Sequence, residues 1–460
     1  MLGRPTDQSV IVQFIPHAPL VYYLEYGENE ESPGGRTTPL GRAQSGEAVE
    51  VLLEGLKPDT EYAYRVRFRP AEAGADEAFS ALPSASFHTA RGESSPFTFC
   101  VTADEHLHNR GRFAGGQGMP LMRLALANIA ADDPDFLISL GDFVGAESAE
   151  GEAASEGECR ERYLLMRAPL DRVCHSIPFF LALGNHEGEQ GWRLDGTAEN
   201  LAVRAARARL EVLPCPLPGP FYRGDDQEYE FVGRRGAAYA FHWGDALFVV
   251  LDPYWNTTRK PHDFGSGPAS GDGWDWTLGK RQYDWLANVL DETSARWKFV
   301  FSHQMTGGTD LYGRGGIEAA KYHVAGLPSF EWGGEDARGR NVFAERRPEW
   351  DHGPVHDLLA RHGVTIFFHG HDHCFVRQEL DGVVYQECPS PAIPLLDKND
   401  SLHRFHERAG YVQGVSIGGN GHLRISVAPE AVEVEFVRCS SDPARNGQVV
   451  QRYAIPGAPR

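Results

Sequence analysis

The chain lacks any apolar run long enough to cross a membrane. The longest, such as Ile177–Leu183 and Ala246–Leu251, fall far short of the ~20 residues that a spanning helix needs. Positive charge is also scarce. The 460 residues carry 44 Lys and Arg against 64 Asp and Glu, a formal net charge of −20. Such a surface repels polyanions at long range, which argues against a nonspecific nucleic-acid binder. A bound cluster of metal ions would still reverse the sign locally. Cysteine is sparse and irregular, with seven residues at 100, 159, 174, 215, 374, 388 and 439, no CxxC pair and no framework spacing. An odd count leaves at least one thiol unpaired per chain, with one or two disulfides still allowed. There is no internal repeat, and the acidic small-residue stretch Ala146–Glu158 reads as a surface loop. Residues 1–20 hold no basic segment followed by an apolar one. An export leader has therefore been removed or never existed.

What is present suits a globular protein of two or three domains: 41% hydrophobic residues for a core, and 51 Gly with 30 Pro for many loops. Residues 1–92 read as an all-β domain. Val10–Phe14, Val21–Tyr26, Val49–Leu53 and Tyr62–Phe68 are rich in β-branched and aromatic residues, and no helical period separates them. Leu56-Lys57-Pro58-Asp59-Thr60-Glu61-Tyr62 resembles the corner between two late strands of a fibronectin type III sandwich. That resemblance implies that the Tyr62 hydroxyl ties to backbone across the turn. Residues 91–96 form the linker. From Phe97 onward, short apolar runs alternate with helical stretches at Arg123–Ala131, Glu161–Val173, Leu201–Leu213, Lys280–Asp291 and Val355–His362. This alternation predicts an α/β domain over 97–460, with Leu423–Val427 and Val432–Val437 as a hairpin completing one sheet.

Five of the apolar runs end in residues that bind metals. Phe97–Thr102 leads into Asp104-Glu105-His106, and Phe136–Leu140 into Gly141-Asp142. Ile177–Leu183 leads into Gly184-Asn185-His186-Glu187, Lys298–Phe301 into Ser302-His303, and Val364–Phe368 into His369-Gly370-His371-Asp372-His373. Taken singly, a Gly-Asp is a common turn and a lone His after a strand is a satisfied core residue. Together they describe a metal site, because side chains from different strands converge outside the carboxyl ends of an α/β sheet. Carboxylates and neutral imidazoles suit borderline divalent ions such as Mn, Fe or Zn, and an Asn carbonyl adds an oxygen without charge.

In this order the motifs resemble those of the calcineurin-like metallophosphoesterase superfamily, over roughly residues 97–440. The resemblance implies a double β-sheet sandwich flanked by helices and a centre of two divalent ions. One ion would be held by Asp104, His106 and His373, the other by Asn185, His303 and His371, with Asp142 bridging. Two such ions share a hydroxide and stabilise both oxygens of an in-line phosphoryl displacement. His186 would protonate the leaving group or hold its charge, oriented by Glu187 or Asp142. A β-sandwich ahead of this domain is similar to the arrangement in purple acid phosphatases. Those enzymes have a Tyr three residues after the bridging Asp, where this chain has Gly145, and a Gly where it has His106. The departure implies a colourless divalent site, with His106 in the place of the Tyr, and no acid optimum. Bacterial, exported metallophosphoesterases with a sandwich module in front are the better comparison.

Other candidates are secondary. His108 faces solvent or supports the site, and His369 is a partner that orients one of the paired ligands. Arg314 is either a phosphate clamp or part of a surface loop. Trp274-Asp275-Trp276 and Glu331-Trp332 either line a mouth or pack their own loops, and Cys374 reads as a small buried residue. The expected function is hydrolysis of a small phosphomonoester or phosphodiester. Nucleotides are an alternative substrate, since nucleotidases of this superfamily share the GNHE form, but the ~20 residues after Ser440 are too few for the extra domain they carry. The residues after Gly141-Asp142 lack the Val-Asp-Arg-Gly continuation of protein phosphatases. A non-catalytic extracellular binding protein is the remaining alternative. An acidic surface and an N-terminal sandwich favour a periplasmic or secreted protein over a cytoplasmic one. Loops 188–235, 254–279 and 304–350 are expected to select the substrate.

Overall fold

A computed structural model describes residues 1–28, 35–74, 76–107, 118–145, 154–260, 271–307, 314–322, 327–398 and 410–457. The N-terminal region is all β. Its strands are β1 (Leu2–Gly3), β2 (Ser9–Phe14), β3 (Leu20–Gly27), β4 (Arg36–Thr37), β5 (Gly41–Ala43), β6 (Val49–Glu54), β7 (Glu61–Pro70), β8 (Ser80–Ala81) and β9 (Ala85–His88). One antiparallel sheet runs β1-β2-β6; the other has β4-β3-β7-β8, with β5 on β3 and β9 on β7. Alternation along β6 buries Val49, Val51 and Leu53 and exposes the residues between. These meet Leu24, Tyr62, Tyr64 and Phe87 of the facing sheet in one core. The Tyr62 hydroxyl accepts the Lys57 N–H at 3.0 Å, as the corner predicts.

The remaining strands are β10 (Phe97–Thr102), β11 (Phe136–Ser139), β12 (Phe179–Leu181), β13 (Arg223–Gly224), β14 (Tyr239–Trp243), β15 (Ala246–Val250), β16 (Trp297–Phe301), β17 (Ile366–His369), β18 (Phe375–Leu380), β19 (Val383–Glu387), β20 (Val415–Ile417), β21 (Asn420–Val427), β22 (Ala431–Cys439) and β23 (Val449–Pro456). They form two mixed sheets, ordered β12-β11-β10-β21-β22-β23 and β13-β14-β15-β16-β17-β19-β18-β20. The predicted hairpin is present as β21 and β22, and it docks antiparallel on β10. Sequence reading had not singled out β18, β19, β20 or β23.

The sheets face each other across an aromatic layer. Phe99 packs edge-on to Phe248 at 5.1 Å between ring centroids, and Phe301 stacks on Phe368 at 5.0 Å. Helices cover the outer faces. The first sheet carries α1 (Gly118–Ala131), α2 (Glu156–Leu170) and α3 (Leu201–Val212), which bury Met122, Tyr163 and Ala205 against Cys100, Leu137 and Phe179. The second carries α4 (Lys280–Glu292) and the Val355–Arg361 helix, which bury Leu286 and Leu358 against Val249, Val300 and Phe367. The acidic stretch ends in helix rather than loop. Ser155 caps α2 by accepting the Glu158 N–H, and the Glu158 carboxylate returns to the Ser155 N–H, closing a capping box. Residues 146–153 of that stretch lie outside the described residues.

Arg167 of α2 joins the two regions. It is buried, and its guanidinium donates to the Gln13 carbonyl at 2.7 Å and the Val212 carbonyl at 2.9 Å. All seven cysteines are free thiols, six buried and Cys215 half-buried, so neither allowed disulfide is present. Among the described residues no helix is long and apolar enough to cross a membrane.

Candidate metal centre

Strands β10, β11 and β12 of one sheet run parallel, as do β15, β16 and β17 of the other, so their carboxyl ends gather the loops that follow. Asp104 and His106 follow β10, Asp142 follows β11, Asn185 and His186 follow β12, His303 follows β16, and His371 and His373 follow β17. The structure brings the Asp and His side chains among these into two touching groups. Asp104 Oδ1 lies 3.3 Å from His373 Nε2 and 3.7 Å from His106 Nε2, and the two imidazoles are 3.1 Å apart. Asp142 Oδ2 lies 3.3 Å from His303 Nε2, which is 3.2 Å from His371 Nδ1. Asp142 Oδ2 also lies 3.9 Å from His106 Nε2 and 3.8 Å from His186 Nε2, so it faces both groups.

These spacings fit ligands of common ions. Atoms bound to one ion at ~2.0–2.2 Å lie about 3–3.5 Å from one another. Two further observations favour the fit. Asp104 Oδ1 and Asn185 Oδ1 are buried and, among the described residues, accept no hydrogen bond, a costly state for polar oxygens without an ion to meet. His303 Nδ1 sits 2.9 Å from the Leu140 carbonyl, which only accepts, so Nδ1 carries a proton and Nε2 is the nitrogen turned to the cluster.

The electrostatics agree. Burial alone would raise Asp104, but the His373 and His303 imidazoles hold it down to about 2. Asp142 is likewise driven well below its ordinary value against its burial, by His303 and His186. Burial, followed by repulsion from His373, lowers His106 to about 3. Burial, with Arg314 adding to it, lowers His371. His303 goes the other way: burial disfavours its charge, yet Asp142 and Asp104 raise it to about 10. The field between the two carboxylates thus favours a cation.

Backbone strain is concentrated here. Among the described residues twelve non-glycine residues have positive φ, and five of them are Asp104 (58°), His106 (47°), Asp142 (57°), His371 (80°) and His373 (62°). Left-handed backbone turns each side chain back over its strand end at a steric cost that the fold must offset. Three motif glycines allow the loops to approach. A Cβ on Gly141 would lie 2.3 Å from the Gly184 N, one on Gly184 2.3 Å from the Asp142 N, and one on Gly370 2.8 Å from the Ala103 Cβ.

Glu187 has a role that sequence reasoning missed. Its buried carboxylate accepts four backbone N–H groups: Gly184 at 2.6 Å, Phe143 at 2.8 Å, Asp142 at 2.9 Å and Val144 at 3.3 Å. It knots the two loops together and is not spent on the His186 ring. Asp142 is the nearer partner, accepting the His186 backbone N–H on Oδ1 at 2.8 Å while its Oδ2 lies 3.8 Å from the ring Nε2. The His186 side chain is 35% exposed, against 8% or less for His106, His303 and His373, so it lines the open side. Gln190 donates its amide to the Asn185 carbonyl.

Other expectations are corrected or sharpened. His369 Nδ1 lies 2.6 Å from Glu387, and Glu387 accepts the Asp372 N–H at 2.9 Å, so His369 acts on the ligand loop only at one remove. Arg314 is tied down rather than part of a loose surface loop. It donates to Asp372 Oδ1 at 2.9 Å and to the His371 carbonyl at 3.1 Å, which locks that loop. Trp274, Trp276 and Trp332 are buried, Trp274 also bordering an open hollow of about 340 Å³ with Arg347 and Trp350, and Cys374 is buried. His108 lies outside the described residues.

The sequence pattern of the calcineurin-like phosphoesterase family matches residues 97–375, and the chain belongs to that family of phosphoester hydrolases. Two solved structures share the fold. PhoD superposes with a TM-score of 0.67 at 15% identity, over 99% of this chain and 89% of PhoD. Purple acid phosphatase PPD1 from yellow lupin (Lupinus luteus) seeds superposes with a TM-score of 0.59 at 14% identity, over 99% of this chain and 73% of that enzyme. No protein of curated function matches the sequence.

Proposed function

We propose that the chain hydrolyses small phosphomonoesters or phosphodiesters at a centre of two divalent ions, Mn, Fe or Zn. Asp104, His106 and His373 would hold one ion, Asn185, His303 and His371 the other, and Asp142 both. The observation that carries this reading is Asp142 Oδ2, which faces both groups from a single strained turn. Such ions supply Lewis acidity toward the phosphoryl oxygens and a water acidified toward neutral pH. The protein supplies the rest. Asp104 and Asp142 enter as carboxylates and His106 and His371 as neutral donors, whereas His303, raised by the two carboxylates, gives up a proton on meeting an ion. His186, held through its backbone by Asp142 and facing the open side, gives a proton from its ring to the departing alkoxide or stabilises its charge. His106 beside Asp104 and Asp142 supports the replacement of the purple acid phosphatase Tyr by an imidazole, and with it a colourless centre.

Residues 1–92 act as a separate module ahead of a catalytic domain over 97–460. Nucleotides are kept as an alternative substrate class. A periplasmic or secreted setting remains part of the reading, and the burial of six of the seven thiols protects them from oxidation there. The test is turnover of p-nitrophenyl phosphate and bis-p-nitrophenyl phosphate by protein reconstituted with Mn. Chelator-sensitive hydrolysis of either ester supports the reading, and their rate ratio separates monoesterase from diesterase. Reconstituted protein with bound metal that cleaves neither ester would count against a general phosphoesterase.

A further inference from the structure

At the carboxyl end of β15 lies a cavity of about 320 Å³ between the β13–β14 segment and α4. Its volume falls at the small end of the roughly 300–1,000 Å³ typical of small-molecule sites. The lining is polar and charged, with five carboxylates against three guanidinia, yet each carboxylate already has a basic partner: Asp226 shares Arg281 with Asp225, and Asp284 takes Lys280 from just outside the cavity. Asp225 pairs with Arg281 at 3.1 Å, Asp252 with Arg235 at 2.8 Å, and Glu292 with Arg223 at 2.9 Å. An anion or a cation entering here would have to compete with these pairs. A neutral molecule would not, and paired carboxylates and guanidinia still present acceptors and donors side by side.

The cavity also has aromatic walls. Tyr229 and Trp285 line it, and the buried Trp285 indole N–H has no acceptor among the described residues. Tyr229 packs edge-on to Trp255 at 5.3 Å, and both also line a second hollow of about 180 Å³. Phe231 borders that second hollow, 40% exposed and with a left-handed backbone (φ 65°). A bulky aromatic residue held out in a strained conformation at a turn tip is a costly arrangement for a surface with no ligand.

We infer that these two hollows, which share Tyr229 as a wall, form a binding site for a neutral carbohydrate. Sugar rings match the three features together: apolar ring faces for Tyr229, Trp285 and Phe231, vicinal hydroxyls for the carboxylate–guanidinium pairs, and no net charge. None of the metal-cluster residues contributes to the site, so it stands or falls independently of the phosphoesterase reading.

The test is a glycan array of common neutral hexoses and N-acetylhexosamines and their oligomers, followed by solution titration of the Trp indole ¹⁵N–H resonances with glucose, galactose, mannose and N-acetylglucosamine. The expected result is saturable binding that shifts one indole resonance, weakened about tenfold or more in Tyr229→Ala. The exposed Phe231→Ala variant, which leaves the core untouched, is expected to weaken the binding of oligomers more than that of single sugars. Thermal unfolding of both variants separates loss of binding from loss of fold. No saturable binding to any array member or titrant up to about 50 mM overturns the proposal. Binding that persists unchanged in folded Tyr229→Ala and Phe231→Ala overturns it as well.

Discussion

The N-terminal sandwich and the strand ends of the phosphoesterase region are built from the same material, short strands joined by tight turns, but they spend it differently. In the sandwich, alternating apolar residues meet in one core, and the non-glycine residues with left-handed backbone are Arg4 and Asp59. At the strand ends, left-handed residues carry the chemistry: Asp104, His106, Asp142, His371 and His373. The sandwich turns only reverse the chain. The strand-end turns hold buried charge and strain that nothing in their own neighbourhood repays, and hydrogen bonds from elsewhere hold them in place. Glu187, His303 and Arg314 each tie a ligand loop to another part of the chain.

Substitutions should separate the two regions sharply. Asp142→Asn removes the charge that faces both groups and is expected to lower kcat/KM by about 10³-fold or more, roughly 4 kcal/mol of transition-state stabilisation. Its far-UV circular dichroism should stay unchanged, because no strand is touched. Next comes Glu187→Ala, which strands four buried N–H groups. Its expected cost is about 3 kcal/mol in urea unfolding, with metal affinity falling about 10–100-fold. Unchanged affinity would show that Glu187 does not position the ligands.

A smaller effect concerns Glu189, buried between Arg209 and Arg235. Burial pushes its carboxyl up, but the two guanidinia win and hold it below the ordinary value. A folded pKa below the unfolded one gives stability that is present above the unfolded value of ~4.3 and is lost as pH falls through the folded value. The urea midpoint of the wild type should therefore drop on acidification below that value. Mildest of all, Tyr62→Phe removes the acceptor of the Lys57 N–H and a long 3.5 Å bond to Glu28 in the sandwich. About 1 kcal/mol of stability should be lost with no change in turnover, and a loss of turnover would mean that the sandwich is coupled to the site.

This contrast also explains what could be read from the sequence. The ligand motifs were legible because each follows a short apolar run, and the Tyr62 corner and the β21–β22 hairpin because their partners are near in sequence. The strand before Gly184 is shorter than its apolar run, β12 covering only Phe179–Leu181. Pro178, which has no N–H for the ladder, stands just before it, and Ala182 to Leu183 already turn toward the loop. The roles of Glu187, Arg314 and Glu387 were not legible. Their partners lie 45, 58 and 15 residues away at Asp142, Asp372 and Asp372, and no local pattern records a contact at that range. The strain at five site residues was equally hidden, since Asp and His carry no propensity for left-handed backbone strong enough to announce it.

The most direct test of the central claim, that one strained cluster holds two ions through a shared Asp142, is metal stoichiometry. Elemental analysis of Mn-reconstituted protein should give two ions per chain in the wild type and one in each of His106→Ala and His371→Ala, with all three proteins folded. No bound metal in the wild type, or two ions retained in both variants, would contradict the account.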